Sequence, residues 1–77
     1  MTFNKWKQVK VGDSVRVTHH PYRCVEFSKK VLRVVTKDNG LVYITLRVRY
    51  IGDNMYTDEL SLLEGAADFE FIDGALL

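Results

Sequence analysis

Apolar and polar residues alternate along most of the chain, a pattern that predicts β-strands because successive side chains of a strand point to opposite faces. Residues 14–18 alternate around two valines, and residues 41–51 form the longest alternating run, with apolar side chains at every even position. Shorter runs over 24–27 and 29–36 are rich in β-branched and other apolar residues, so we predict strands there as well.

Turn signals separate these runs. Gly12-Asp13 precedes the first of them, and Gly52-Asp53-Asn54 follows the longest. Asn39-Gly40 lies between the runs 29–36 and 41–51 and favours a two-residue type I′ turn, in which both central residues need a positive φ. We therefore predict that these two runs pair as a hairpin.

Two later segments leave alternatives open. Residues 58–63 are predicted either as a strand or as one short helical turn. Residues 66–77 are predicted either as a last strand, docked through Phe69 and Phe71, or as a loosely attached acidic tail. In both cases residues 1–77 form a single domain, because a chain of 77 residues is too short for two.

Five short strands joined by tight turns predict an all-β fold, a small barrel of about five antiparallel strands. Closing the sheet on itself would bury one face of every strand in a common core. The residues expected in that core share an inward strand position and are Val15, Val17, Val25, Phe27, Leu32, Val34, Val42, Ile44, Leu46, Val48 and Leu60.

One stretch of sequence resembles a known class of small barrel. It runs Val11-Gly12-Asp13-Ser14-Val15-Arg16-Val17 and is followed by the hairpin and by Asp58-Glu59-Leu60-Ser61-Leu62. Over residues 9–63 this is similar to SH3-like barrels of the Tudor and KOW type, which occur in ribosomal, transcription and small bacterial or phage proteins. The chain departs from the KOW pattern in having no further glycine between Gly12 and Gly40. The resemblance implies that residues 59–62 form the closing strand.

Charge is strongly segregated along the chain. Residues 1–50 carry all eleven Lys and Arg side chains against three acids, a net charge of +8, whereas residues 51–77 carry seven acids and no base. The total of +1 therefore conceals a large asymmetry, which bears on partners and on self-association more than on fold. The basic residues 1–50 of one copy could contact the acidic residues 51–77 of another, so we expect that the chain could form a homo-oligomer.

Composition and motifs argue against catalysis and against membrane insertion. A single cysteine allows no internal disulfide, which favours a reducing, cytoplasmic location. No apolar run approaches the ~20 residues that span a bilayer, so no membrane partner is expected. His19, His20 and Cys24 offer three zinc ligands without an evident fourth, and no oxyanion site accompanies the thiol. We predict no metal, no cofactor and no enzymatic activity.

The basic half provides one candidate binding surface. Cations that face outward on neighbouring strands, with an aromatic ring among them, would suit phosphate contact and base stacking in a nucleic acid. The residues predicted for this surface are Arg16, Arg33, Lys37, Tyr43, Arg47 and Arg49.

The acidic end provides the other candidate, a protein-binding surface in which charge steers the encounter and aromatic rings supply buried area. The residues predicted for it are Trp6, Tyr56, Asp68, Phe69, Glu70 and Phe71. For Trp6, closing the open end of the barrel is the alternative. Because the total charge is nearly neutral, we favour a protein-binding regulatory or accessory module that docks on a larger host or phage machine, with nucleic-acid binding as the alternative.

Overall fold

The computed structural model describes residues 5–72, which form one 3-10 turn and five β-strands. The 3-10 turn spans Lys5–Gln8. The strands are β1 (Val15–His19), β2 (Val25–Thr36), β3 (Val42–Tyr50), β4 (Asp58–Leu63) and β5 (Asp68–Phe71). The predicted all-β fold of about five antiparallel strands is confirmed. The part of the predicted segment 66–77 that follows Ile72 lies outside the described residues.

The strands form two antiparallel sheets, ordered β2-β3-β4 and β1-β5. Backbone contacts join the sheets at the start of β1, where Ser14 forms an isolated bridge with Lys30. Beside it the Gly12 amide donates to the Val31 carbonyl, and the Val31 amide donates to the Asp13 carbonyl, both at 2.9 Å. The turn ahead of β1 is therefore anchored on β2, and the two sheets enclose a shared core.

The hairpin between β2 and β3 is present, but its turn differs from the prediction. The Gly40 amide donates to the Lys37 carbonyl, and the Lys37 amide donates to the Leu41 carbonyl, both at 2.8 Å. Gly40 has a positive φ of 84° whereas Asn39 does not, so a type I′ turn is excluded. A three-residue loop that ends in a left-handed glycine connects the strands instead.

Residues 58–63 form a strand, so the alternative of a helical turn is wrong. The register runs from Val48 opposite Asp58 to Tyr43 opposite Leu63. Six consecutive residue pairs join β4 to β3, and a helical turn would break this ladder.

The alternation along β3 places its even-numbered apolar side chains in the core. Val42, Ile44, Leu46 and Val48 are buried, as predicted. The strand continues past the core, however, and Tyr50 is 55% exposed.

Three predicted core residues, Val25, Leu32 and Leu60, are only partly buried and do not belong to the core cluster. For the last two the reason is that strand alternation does not hold throughout. Register shifts interrupt β2 on both sides of Val31, so that Val31 rather than Leu32 is fully buried. On β4 the fully buried leucine is Leu62, opposite Ile44, and Leu60 is only partly buried.

The 3-10 turn and β5 complete the core. Trp6 and Phe69 are 6% and 1% exposed, and their rings meet edge to face with centroids 4.9 Å apart. Val9 is buried beside them. Of the two alternatives for the acidic end, residues 68–71 adopt the last strand, antiparallel to β1.

Candidate protein-docking surface

The charge asymmetry of the sequence is largely neutralised inside the fold. β4 and β5 carry four of the seven acids that follow residue 50, and both strands pair with strands that contain bases. Among residues 5–72, four of the five ion pairs join a base from the first fifty residues to an acid that follows residue 50. The five pairs are Lys5–Asp68, Lys7–Glu64, Arg16–Glu70, Arg33–Glu59 and Arg49–Glu26. The acidic end thus covers part of the chain's own basic surface.

The best-defined of these pairs connects the 3-10 turn to β5. The Lys5 ammonium lies 2.7 Å from the Asp68 carboxylate, which also accepts a hydrogen bond from the Phe69 amide at 2.8 Å. Hydrogen bonding to Lys5, and then to the Phe69 amide, holds the pKa of Asp68 below its ordinary value. A carboxyl whose pKa is lower in the folded state stabilises the fold at pH values above its unfolded pKa.

We expect Asp68→Asn to lower stability at neutral pH and to leave it unchanged in acid. The contribution of Asp68 is complete above the unfolded pKa, about 3.9, and disappears as the pH falls through the lower folded pKa. Urea denaturation of both proteins between neutral pH and about pH 2 measures this difference. Asp38→Asn is the control, because Asp38 forms no ion pair with residues 5–72. A difference that persists unchanged at the lowest pH would contradict the assignment.

The residues predicted to bind nucleic acid are only partly brought together. Tyr43, Arg47 and Arg49 alternate along β3, and Lys37 lies over the Tyr43 ring at 5.4 Å from its centroid. Arg16, by contrast, belongs to β1 in the other sheet and pairs with Glu70.

Two of the other predicted cations form ion pairs with acidic side chains. Arg33 pairs with Glu59 and Arg49 with Glu26. Within the described part of the chain, Lys37 and Arg47 are left as the cations of the predicted set without an acidic partner.

The residues predicted to bind protein divide into buried and exposed groups. Trp6 and Phe69 belong to the core, and their burial removes both rings from any surface that a partner could contact. Asp68 and Glu70 are held in ion pairs with Lys5 and Arg16. These positions therefore fix β5 to the fold.

Two aromatic members of the same predicted set do remain accessible. Phe71 is 42% exposed and Tyr56 is 36% exposed. The Phe71 ring packs edge to face on Phe69, with centroids 5.5 Å apart. Tyr56 lies apart from β5 in the sequence, in the loop between β3 and β4.

The end of the β3–β4 hairpin carries the densest group of exposed apolar side chains in residues 5–72. Ile51 and Met55 are 64% and 70% exposed, and Tyr50 and Tyr56 flank them. The other large exposed apolar residues, Val11, Tyr22, Val35 and Phe71, are dispersed over other elements. Clustered exposed apolar surface is typical of interaction sites. We call Tyr50, Ile51, Met55 and Tyr56 the docking patch.

A tight turn explains why Ile51 projects into solvent. The Asp53 amide donates to the Tyr50 carbonyl at 2.9 Å, and Gly52 has a φ of 103°. Ile51 and Gly52 are therefore the two central residues of a turn whose third position needs positive φ. The Ile51 amide donates to the Cys24 carbonyl at 2.9 Å, so the corner itself is tied to the start of β2.

Arg49 holds the loop against the sheet. Its Nη1 donates to the Asp53 carbonyl, its Nη2 pairs with Glu26, and the guanidinium lies 5.3 Å from the centroid of the Tyr56 ring. Hydrogen bonding with Tyr56 raises the pKa of Arg49 above its ordinary value, and hydrogen bonding with Glu26 raises it further. One side chain thus connects the turn and an aromatic member of the docking patch to β2 and holds the loop against the sheet.

Replacing Gly52 by alanine should destabilise the protein by about 1 kcal/mol. A Cβ at Gly52 would meet nothing within 4 Å, so the cost arises from the positive φ and not from a clash. Urea denaturation measures the loss, with Asn54→Ala as the control in the same loop. A Gly52→Ala protein as stable as the parent would show that the turn does not depend on the left-handed conformation.

Sequence analysis missed three of the four members of the docking patch. Tyr50 continues the apolar alternation of β3, while Ile51 and Met55 lie where the alternation stops. A signal was present, since residues 50–56 place four large apolar side chains around a Gly-Asp-Asn turn. Connecting segments run over the surface, so apolar residues around a turn could have predicted an exposed apolar group here.

The predicted histidine and cysteine positions do not converge. No group of three or more His, Cys, Asp or Glu side chains among residues 5–72 is arranged to hold a metal ion. His20 instead packs edge to face on Phe27, with ring centroids 4.9 Å apart, and stacks near Tyr22. Cys24 is exposed.

No protein-family model matches the chain, and neither a curated protein nor a solved structure does. Residues 5–72 contain no helix with the length and apolar character needed to cross a membrane. The functional proposal below therefore rests on the surface that the fold itself presents.

Proposed function

We propose that this chain is a non-enzymatic protein-binding module that docks on a larger assembly through the docking patch. The observation that carries the proposal is the exposure of Tyr50, Ile51, Met55 and Tyr56 at one hairpin end. Tyrosines in particular are enriched among residues that dominate protein–protein binding energy. The turn at Gly52 and the Arg49 contacts support it further, because they order the loop before a partner arrives.

We further propose that the fold is an SH3-like barrel and that the module is a cytoplasmic accessory factor of a host or phage machine. Five antiparallel strands in two sheets, joined where Ser14 bridges Lys30, support the barrel. The accessory role is carried by the sequence resemblance over residues 9–63. Function in this class resides in the surface grafted on the fold and not in the fold itself.

Nucleic-acid binding is the second candidate, and one observation favours it. Lys37 lies over the Tyr43 ring on a sheet face that also carries Arg47, which combines cations with a stacking platform. With Arg33 and Arg49 already paired to acids, few phosphate contacts are available. Two such contacts would give a log–log salt slope of only about −2.

Fluorescence anisotropy with labelled single- and double-stranded DNA and RNA separates the two candidates. If the docking patch is the functional surface, we expect the chain to bind these nucleic acids only weakly, and Ile51→Ser should not alter that binding. Tight binding that is lost in Lys37→Glu/Arg47→Glu would instead establish the sheet face as the functional surface.

Affinity capture tests the protein-docking function directly. The immobilised chain is exposed to an extract of the cells that produce it, beside the double variant Ile51→Ser/Met55→Ser and the control Val11→Ser. Val11 is 65% exposed but lies outside the docking patch. We expect the same protein to be retained by the parent and by the control and to be lost from the double variant. Equal retention by all three would contradict the proposal.

A further inference from the structure

The two charged residues of segment 50–58, which carries the docking patch, are both acidic. Arg49 is neutralised by Glu26, and Glu59 by Arg33. Asp53 and Asp58, in contrast, form no ion pair with any of residues 5–72. Both carboxylates belong to exposed residues. The segment that carries the patch is therefore acidic, although two bases without an ion pair among residues 5–72, Arg23 beside Cys24 and Arg47 on β3, lie on neighbouring parts of the sheet.

The sheet register explains the position of the second carboxylate. Asp58 lies directly opposite Val48, so its side chain shares a sheet face with Val48 and with Tyr50 two residues further along. Asp58 is thus a diagonal neighbour of one tyrosine of the docking patch, while Asp53 follows the turn that presents Ile51.

A shallow depression lies on the loop beside Met55. It has a volume of about 310 Å³ and is lined by Asp53, Asn54, Met55 and Thr57. The lining combines an apolar thioether side chain with a carboxylate, an amide and a hydroxyl, and all three polar groups can accept hydrogen bonds. The depression is open to solvent, so it suits one long side chain of a partner better than a whole small molecule, which a binding pocket usually encloses.

We propose that the docking patch binds a protein surface on which an apolar contact is accompanied by Lys or Arg side chains, and that one of these bases enters the depression beside Met55. This inference rests on the docking function proposed above. The aliphatic stem of a Lys or Arg side chain would pack on Met55 while its charged end meets Asp53. Asp58 attracts a second base at the border beside Tyr50, and both carboxylates steer the encounter.

Two other occupants fit the surface less well. A neutral apolar partner would cover Asp53 and Asp58 without compensating their charge, which costs free energy on desolvation. A second copy has bases to offer that form no ion pair among residues 5–72, including Arg23 and Arg47, but its exposed apolar side chains outside the patch are dispersed over several elements of that range and form no matching surface. A basic, apolar partner is the occupant that the charges favour.

Selection from a display library of random peptides tests this inference. Peptides are selected on the immobilised parent chain and removed if they also bind Ile51→Ser/Met55→Ser. We expect the remaining peptides to carry Lys or Arg next to aromatic or aliphatic residues. Their affinity should fall about tenfold on Asp53→Asn/Asp58→Asn. The affinity of the peptides should be unchanged by Asp38→Asn, because Asp38 lies in the turn between β2 and β3, away from the docking patch.

The outcomes distinguish this inference from the docking function. Patch-dependent peptides that lack basic residues, or that bind Asp53→Asn/Asp58→Asn as tightly as the parent, would overturn the charge assignment and leave the docking function intact. Recovery of no patch-dependent peptide would contradict both. Dimerisation of the parent chain in sedimentation, abolished by Asp53→Asn/Asp58→Asn, would show that the occupant is a second copy and would overturn the inference of a separate partner.

Discussion

Replacing Phe69 by alanine will lower the free energy of unfolding by about 3–5 kcal/mol, the usual range for a buried phenylalanine. The side chain is 1% exposed, and its ring contacts both Trp6 and Phe71 edge to face. Truncation would leave a cavity between the 3-10 turn and β5. A domain of 77 residues has a total stability of roughly 4–12 kcal/mol, so the loss is a large share of it.

Urea denaturation followed by fluorescence of Trp6 measures this loss, with Phe71→Ala as the matched control. Phe71 is 42% exposed on the same strand and should cost much less. Phe69→Leu keeps most of the apolar volume, and it should remain folded with an intermediate loss even if Phe69→Ala does not fold. Equal stabilities of Phe69→Ala and Phe71→Ala would contradict the docking of the acidic end as the last strand.

Changing Ile51 and Met55 together to serine will weaken binding of the captured partner at least about 30-fold, or about 2 kcal/mol. Both side chains are more than half exposed in the free protein and have little packing to lose within the fold. Stability should therefore stay within about 0.5 kcal/mol of the parent, as for other surface changes. The two measurements are titration calorimetry with the purified partner and urea denaturation.

Val11→Ser provides the matched control for this prediction, because it removes an equally exposed apolar side chain outside the docking patch. A loss of affinity in Val11→Ser as large as that in the double variant would show that binding depends on general surface hydrophobicity. A double variant that unfolds would show that Ile51 and Met55 contribute to the core, against their exposure.

Local pattern predicted the elements of the fold where strand geometry alone decides them. The even-numbered apolar residues of β3 enter the core because the strand is regular from Val42 to Val48. In β2 the same reasoning fails at Leu32, since the register shifts around Val31 depend on how β2 fits both β3 and the turn at Gly12. A bulge of that kind is a tertiary feature that period-2 alternation does not encode.

The candidate site was less predictable, because it depends on which distant segments meet. Arg16 and Glu70 are 54 residues apart in sequence and become neighbours only when β5 pairs with β1. That pairing converts the acidic end from a candidate partner surface into part of the fold. It also removes much of the electrostatic drive for pairing between copies. The exposure of Ile51 likewise follows from a turn at Gly52 whose direction the sequence does not specify.

Site-specific photo-crosslinking in the producing cells tests whether a partner protein contacts the β3–β4 loop. A photoreactive amino acid is introduced in place of Met55 in one variant and in place of Val11 in another. We expect a discrete covalent adduct from the position of Met55 and none from that of Val11. Adducts from the position of Val11 alone, or from neither position, would contradict the docking function.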